Sequence, residues 1–244
     1  MKVIPSIFTY SDLKDIYPNV GSFYAFVNRW NKKGKIKQIK KGVYALIDLS
    51  TGNLYCSKFQ IACSLFKDAY FSYHEALEYY GLANQCFVSS FVYLTHFYAR
   101  TISFEENDYI SKKSNTDQFI INRMNEEGIR VVSKERCIID CIDNMYLGGG
   151  LEEIENALEN VKTLNEQNLT TILDFYNKNF LFQKAGYLLK KHLGDALSNS
   201  FYEYCKSKIG NKINYLEKKE KGCSLNSEWK LMIHKEKEFP NELF

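Results

Sequence analysis

Residues Gly21–Ile47 read GSFYAFVNRWNKKGKIKQIKKGVYALI, and their pattern predicts the fold of the first part of this chain. Its first half carries apolar residues at spacings of three and four, the periodicity of a helix with one buried face. These residues are Phe23, Phe26, Val27 and Trp30. Gly34 follows two lysines, at a place where helices commonly end on a left-handed glycine. The sequence therefore predicts an amphipathic helix that ends before Gly34.

The second half of this stretch changes to the alternating period of β-strands. One arm carries Ile36 and Ile39, the other is Val43–Ile47, and a basic turn with a glycine joins them at 40–42. Such a turn predicts a β-hairpin. A helix followed by a basic hairpin is typical of a winged helix-turn-helix, in which the helix enters the DNA major groove and the hairpin lies along the phosphates.

A shorter helix is predicted ahead of this stretch, over Thr9–Tyr17, with Leu13 and Ile16 facing inward. Pro18 ends it and leaves a tight turn before the second helix, as in a helix-turn-helix pair. The usual first helix of a three-helix winged domain has no room here, and Met1–Ser6 is expected to add an edge strand.

Helical phase puts the polar side chains of the second helix opposite its apolar face. The candidate base-reading residues are Ser22, Tyr24, Asn28 and Arg29. Asn and Arg have the paired hydrogen-bonding groups that base edges need. The candidate phosphate-neutralising residues are Lys32, Lys35, Lys37, Lys40 and Lys41. Trp30, on the opposite face, is expected to be buried against the preceding helix.

The charge distribution agrees with a nucleic-acid partner for the first part of the chain. Residues 1–49 carry nine Lys and Arg against three Asp and Glu, a balance of +6. Since the whole chain carries +3, the other residues sum to −3. A basic first part beside a slightly acidic remainder favours one part for DNA and one part for another task.

The predicted architecture is α+β, with a winged helix-turn-helix at 1–49 and a larger mixed domain at 54–244, joined by the linker-like 48–53. The larger domain has a small β-sheet and a mainly helical C-terminal half. Its extended segments are predicted at 70–71, 87–95, 98–104, 118–121 and 129–132, with a tail strand near 229–233. Its helices are predicted at 54–65, 73–81, 134–146, 151–161, 165–179, 182–192 and 196–209.

No motif for catalysis or metal binding stands out in the sequence. Ser72–Glu75 has the S-x-x-E pattern of a capping box, and Gly148–Gly150 is interpreted as a turn because the Walker lysine is missing. Asp140 and Asp143 have no partner that identifies a nuclease site. The histidines lack ligand-spaced partners. We therefore expect no enzyme activity, no cofactor and no metal.

The seven cysteines have no CxxC spacing and are interpreted as small buried residues of a reducing compartment. No run of residues reaches the roughly 18 apolar positions of a membrane helix, and the N-terminus lacks the apolar core of a signal peptide. The sequence predicts a cytoplasmic protein with no membrane partner.

Four segments in a fixed order carry a resemblance to a known family. They are GKIKQIKKGVYAL at 34–46, YFSYHEALEYYGL at 70–82, RVVSKERCIIDCIDNMYLGGGLEEIENAL at 130–158, and KAGYLLKKHLG at 184–194. Their order and spacing resemble the AbiEi family, whose members are antitoxins and transcriptional regulators of type IV toxin–antitoxin systems, also called abortive infection systems. The resemblance spans the chain from about Phe8 to Gly194.

The resemblance implies a winged-helix domain that represses its own operon by binding double-stranded operator DNA, with inverted repeats expected in the operator. It also implies a C-terminal antitoxin domain that counters a nucleotidyltransferase-like AbiEii toxin without forming a stable complex with it. The short N-terminus departs from the common family pattern and affects the first helix, not the recognition helix.

Two other functions stay open at this point. One is a winged-helix transcription factor whose C-terminal domain senses a ligand, and the other is a nuclease that processes DNA or RNA. A lysine-rich hairpin is also found as a charged edge that prevents strand pairing. The helix, turn, hairpin and local charge together favour nucleic-acid binding.

Overall fold

The structure, a computed structural model, describes residues 4–114, 116–123 and 128–234. It contains several helices and small β-sheets, which confirms a mixed fold. The helices are α1 (Tyr10–Leu13), α2 (Val20–Lys32), α3 (Lys58–Leu65), α4 (Tyr73–Tyr79), α5 (Lys134–Asp143), α6 (Leu151–Asn160), α7 (Glu166–Tyr176), α8 (Asn179–Leu193) and α9 (Asn199–Lys208). A short 3-10 turn, Gly194–Ala196, follows α8.

The strands are short and lie mostly in the first 132 residues. They are β1 (Ile7–Phe8), β2 (Ile36–Lys40), β3 (Val43–Leu46), β4 (Ala69–Tyr70), β5 (Ser89–Leu94), β6 (Thr101–Phe104), β7 (Asn107–Lys113), β8 (Ile120–Arg123), β9 (Ile129–Val132), β10 (Asn214–Tyr215), β11 (Cys223–Asn226) and β12 (Leu231–His234). The strand-rich segment followed by helices is therefore confirmed, and a further small sheet follows the helices.

The chain divides into two compact units. The first is Met1–Phe71 with Phe87–Val132, and the second is Ser72–Cys86 with Ser133–Phe244. The predicted boundary between 49 and 54 lies inside the first unit. Residues 1–49 nevertheless have their own buried cluster, so a separate N-terminal domain stays a prediction.

The N-terminal part of the first unit packs α2 against a sheet of order β1-β3-β2. Its core is aromatic because Phe23 and Phe26 of α2 meet Phe8 of β1 and Tyr44 of β3, with Phe8 and Tyr44 stacked at 5.8 Å between ring centres. Ile16, expected to face inward, is 40% exposed because α1 ends at Leu13. The edge strand lies later than expected, and Met1–Val3 fall outside the described residues.

The rest of the first unit is built on a four-stranded sheet of order β4-β5-β7-β6. β5 and β7 run parallel, while β6 and β7 form an antiparallel pair. β7 was not predicted, because its sequence NDYISKK carries only two large apolar residues. It nevertheless lies at the centre of the sheet, where Tyr109 is fully buried.

The second unit contains α4 to α9 and a small sheet of order β10-β12-β11. It buries a charged cluster around Asp140 of α5. Asp140 pairs with Arg136 at 3.2 Å and accepts hydrogen bonds from the hydroxyls of Ser72, at 2.5 Å, and Tyr176. The predicted capping box is wrong, since the Ser72 hydroxyl donates to Asp140 and makes no cap hydrogen bond to α4.

The three consecutive glycines form a turn, as predicted, and close packing within the second unit leaves no room for a side chain at two of them. A Cβ at Gly148 would lie 2.9 Å from the Cβ of Cys141, and one at Gly149 would lie 2.9 Å from Glu153. The buried Glu153 carboxylate accepts from the backbone N–H of Asn84 at 2.7 Å and lies 3.2 Å from His74 Nε2. His74 of α4 and Glu153 of α6 therefore connect these two helices within the unit.

No helix in the described part of the chain is both long and apolar enough to cross a bilayer.

Candidate nucleic-acid interface

The polar face of α2 is held in place by defined ends of that helix. Asn19 caps its start, where its side-chain oxygen accepts from the backbone N–H of Ser22 at 2.8 Å. At its end Gly34 has φ +64°, and the N–H groups of Gly34 and Lys35 donate to the carbonyls of Asn31 and Trp30. This is the Schellman arrangement that ends helices on glycine, so the predicted helix end is confirmed.

The hairpin after α2 also forms as predicted, with β2 and β3 antiparallel and Gly42 at φ +80° in the turn. A register shift between Gln38 and Lys40 marks a bulge. Because a bulge adds one residue to a strand, both Ile36 and Ile39 face the core although two residues lie between them. Lys37 and Lys40 are left on the outside of the hairpin.

Five of the nine candidate residues are exposed and make few contacts with the rest of the protein. They are Tyr24, Asn28, Arg29, Lys32 and Lys41. The last four make no side-chain hydrogen bond or ion pair with any described residue. Asn28, Arg29 and Lys32 share the outward face of α2, so one surface carries hydrogen-bonding groups and positive charge together.

The other four candidates have partners within the first unit. The Ser22 hydroxyl donates to the carbonyl of Asn19 at 2.8 Å, so it serves the helix start. The Lys35 ammonium lies 5.4 Å from the centre of the Trp30 ring. Lys37 forms an ion pair with Glu105, in the turn between β6 and β7. These three side chains are less available to a ligand than the sequence predicts.

Lys40 is also tied to the body of the first unit. Its ammonium donates to the carbonyl of Leu65 at 3.4 Å. Partial burial lowers the pKa of Lys40, and the nearby Arg100 guanidinium lowers it further. The Lys40 ammonium is therefore directed towards the end of α3.

Arg100 is the residue that sequence analysis missed. It lies between β5 and β6, is exposed, and lies near enough to Lys40 to act on its charge. Lys37, which precedes Lys40 on β2, forms an ion pair with Glu105, just after β6. Arg100 therefore lies beside Lys40 of the hairpin. No local sequence pattern signals this, because 60 residues separate Lys40 from Arg100 along the chain.

Trp30 was expected to be buried against the preceding helix, and that expectation is wrong. It is half-buried, contacts Phe26 at 4.7 Å between ring centres, and lines a shallow cleft with Leu46 and Tyr55. Tyr17, which follows α1, packs against α2 instead: its ring stacks on the ring of Phe26, with 4.6 Å between the ring centres.

Among the described residues no group of three or more His, Cys, Asp or Glu has an arrangement that could hold a metal ion.

Comparison with known proteins identifies a fold relative. The chain is similar to the RV2827C protein from Mycobacterium tuberculosis, known from its crystal structure, with a TM-score of 0.60 and 14% sequence identity. The match covers 94% of this chain and 86% of that one. No protein-family model matches the sequence, and no curated protein matches it. At this identity the similarity concerns the fold alone.

Proposed function

We propose that this protein is a DNA-binding transcriptional repressor of its own operon and the antitoxin of a type IV toxin–antitoxin system. In this proposal α1, α2 and the β2–β3 hairpin act as a winged helix-turn-helix. The observation that carries the DNA-binding part is the exposed face of α2, where Asn28, Arg29 and Lys32 have no described side-chain partner.

Each part of this surface has a separate task in the proposal. Asn28 and Arg29 offer the paired hydrogen-bonding groups that read base edges in the major groove. Lys32, Lys41 and Arg100 neutralise phosphates and so contribute affinity that does not depend on sequence. Lys37 and Lys40 contribute less, because Glu105 and the Leu65 carbonyl hold them.

The antitoxin part of the proposal rests on the resemblance to the AbiEi family. The functional counterpart would be an AbiEii-like, nucleotidyltransferase-like toxin, countered in the cytoplasm without a stable complex. The segments that carry the resemblance lie mostly in the second unit, which is slightly acidic, whereas the basic surface lies in the first.

The DNA-binding part is tested by titrating a labelled fragment of the chain's own promoter region with full-length protein at several salt concentrations. With Lys32, Lys41 and Arg100 each neutralising one phosphate and Lys37 and Lys40 contributing less, log K should fall with log[salt] at a slope of about −3 to −4. A matched fragment with scrambled sequence should bind more weakly by about three orders of magnitude. Equal binding to both fragments would overturn operator recognition.

The antitoxin part is tested in cells that express the neighbouring toxin gene from an independent promoter. Full-length protein should restore growth, and an Arg29→Ala variant should restore it equally while losing repression of the operon. Loss of protection by a folded, abundant Arg29→Ala protein would mean that protection requires DNA binding.

A further inference from the structure

The second unit contains a cavity of about 650 Å³ that the proposed function does not use. It lies where the end of α5, the start of α6, α8 and the segment around β10 meet. The lining residues that matter here are Asp143, Tyr146, Gly150, Phe180, Lys184 and Tyr215. Its size suits a small molecule.

Lys184 of α8 is the unusual member of this lining, because it is only 5% exposed. Its ammonium donates to the backbone carbonyl of Asp143 at 3.0 Å and lies 4.8 Å from the centre of the Phe180 ring. The Asp143 carboxylate is engaged by another lysine, Lys178, at 2.6 Å. Lys184 forms no ion pair with any described carboxylate.

A buried ammonium without an ion pair of its own is energetically costly, because burial removes water that the protein replaces only in part. Burial lowers the pKa of Lys184 to about 8, although the nearby Asp143 opposes this change. Lys184 is therefore mostly charged at neutral pH, and an incoming anion would stabilise that charge. Perturbed titratable groups in cavities are common at binding sites.

The remaining wall offers aromatic rings. Phe180 is partly exposed, Tyr146 is 86% exposed at the rim, and Tyr215 is half-buried. Gly150 on the same wall is the N-cap of α6 and provides no side-chain cap. The positive end of this helix adds to the charge of Lys184, although Glu152 and Glu153 in its first turn oppose it. The other charged groups of the lining are exposed and screened by water, apart from the paired Asp143. They are Glu217, Lys218, Glu220 and His234.

We propose that this cavity binds a small aromatic anion, a planar ring bearing a phosphate or a carboxylate. The ammonium of Lys184 contacts the anionic group, and Phe180 and Tyr215 contact the ring. The site does not depend on the DNA-binding surface, so it stands whether or not the protein is a repressor.

The test is calorimetric titration of the full chain with adenosine monophosphate, phenyl phosphate and benzoate. Adenosine and inorganic phosphate serve as the uncharged and the ring-free comparisons. At least one aromatic anion should bind with a Kd below about 1 mM, and its comparison should bind about tenfold more weakly. Failure of all three anions to bind in that range overturns the proposal.

Two lysines of α8 provide a matched pair of variants. Lys184→Met keeps an unbranched side chain only one atom shorter and removes the charge, and it should weaken binding at least about tenfold. Lys191→Met removes a lysine that pairs at the surface with Glu155 at 3.0 Å, outside the cavity, and should leave affinity within about twofold. Equal affinity of wild type and a folded Lys184→Met protein overturns the assignment.

The pH dependence of the wild type decides the question even if Lys184→Met fails to fold. Anion affinity should be constant up to about pH 7.5 and then fall as Lys184 loses its proton, by about tenfold per pH unit above its pKa. Benzoate is the suitable probe, since its own charge does not change in this range. A flat profile from about pH 7 to about pH 9.5 contradicts a role for Lys184.

Discussion

The two units of this protein use charged side chains in opposite ways. In the first unit Arg29, Lys32 and Lys41 are exposed to solvent and have no described ion-pair partner, so they contribute little to the free energy of folding. In the second unit Arg136 and Asp140 are each 2% exposed and hold one another. The exposed charges of the first unit are therefore available to a ligand, whereas Arg136 and Asp140 are already engaged with one another inside the second unit.

The largest effect on stability is expected when one member of the buried Arg136–Asp140 pair is removed. Asp140→Ala would leave the guanidinium of Arg136 buried without its carboxylate, and would remove the acceptor for the Ser72 and Tyr176 hydroxyls. We expect the free energy of unfolding to fall by about 3–5 kcal/mol, measured by chemical denaturation. Glu105→Ala, which removes the partner of the exposed Lys37, should change it by less than about 1 kcal/mol. Similar losses for both variants would contradict the difference between the buried pair and the exposed pair.

The next largest effect is expected on the pH dependence of the stability of Lys184→Met, and its sign follows from the pKa of Lys184. The folded pKa is about 8, below the unfolded value of about 10.4. The buried charge therefore opposes folding below pH 8, and this opposition disappears as pH rises towards the unfolded pKa. The stability of Lys184→Met relative to wild type should decrease by roughly 3 kcal/mol between about pH 8 and about pH 10.5. A constant difference in denaturation midpoints would show that Lys184 titrates normally.

Arg29→Ala tests the exposed face of α2. If Arg29 reads a base, discrimination at one operator position should fall by about 1–3 kcal/mol, measured by binding to operators substituted at each position. The free energy of unfolding should change by less than about 0.5 kcal/mol, because the side chain has no described partner. A uniform loss across all substituted operators would assign Arg29 to a phosphate.

The smallest expected effect is the change in the salt dependence of DNA binding when a single phosphate contact is removed. Lys41→Ala and Arg100→Ala should each reduce the steepness of the salt dependence by about one unit and weaken all sequences alike. Lys40→Ala should change it less, because the Leu65 carbonyl already engages that ammonium. A larger change for Lys40→Ala than for Lys41→Ala would reverse our ranking of the hairpin lysines.

Local patterns predicted much of the first 49 residues. The apolar spacing of α2 and the glycines at 34 and 42 act over a few residues, so they could be recognised without knowledge of the rest of the chain. β7 could not be predicted in the same way. Its polar sequence becomes a central strand only because β5 and β6 supply hydrogen-bonding partners on both sides.

The order of helices and hairpin in the first 49 residues, the polar face of α2 and the excess of positive charge could all be recognised from the sequence. Which polar groups are engaged depends on the tertiary structure. It placed Ser72 on Asp140, 68 residues away, the Lys40 ammonium on the Leu65 carbonyl, and Lys184 in a cavity. Periodicity reports which face of an element is buried, whereas the partners of a side chain depend on how distant elements pack.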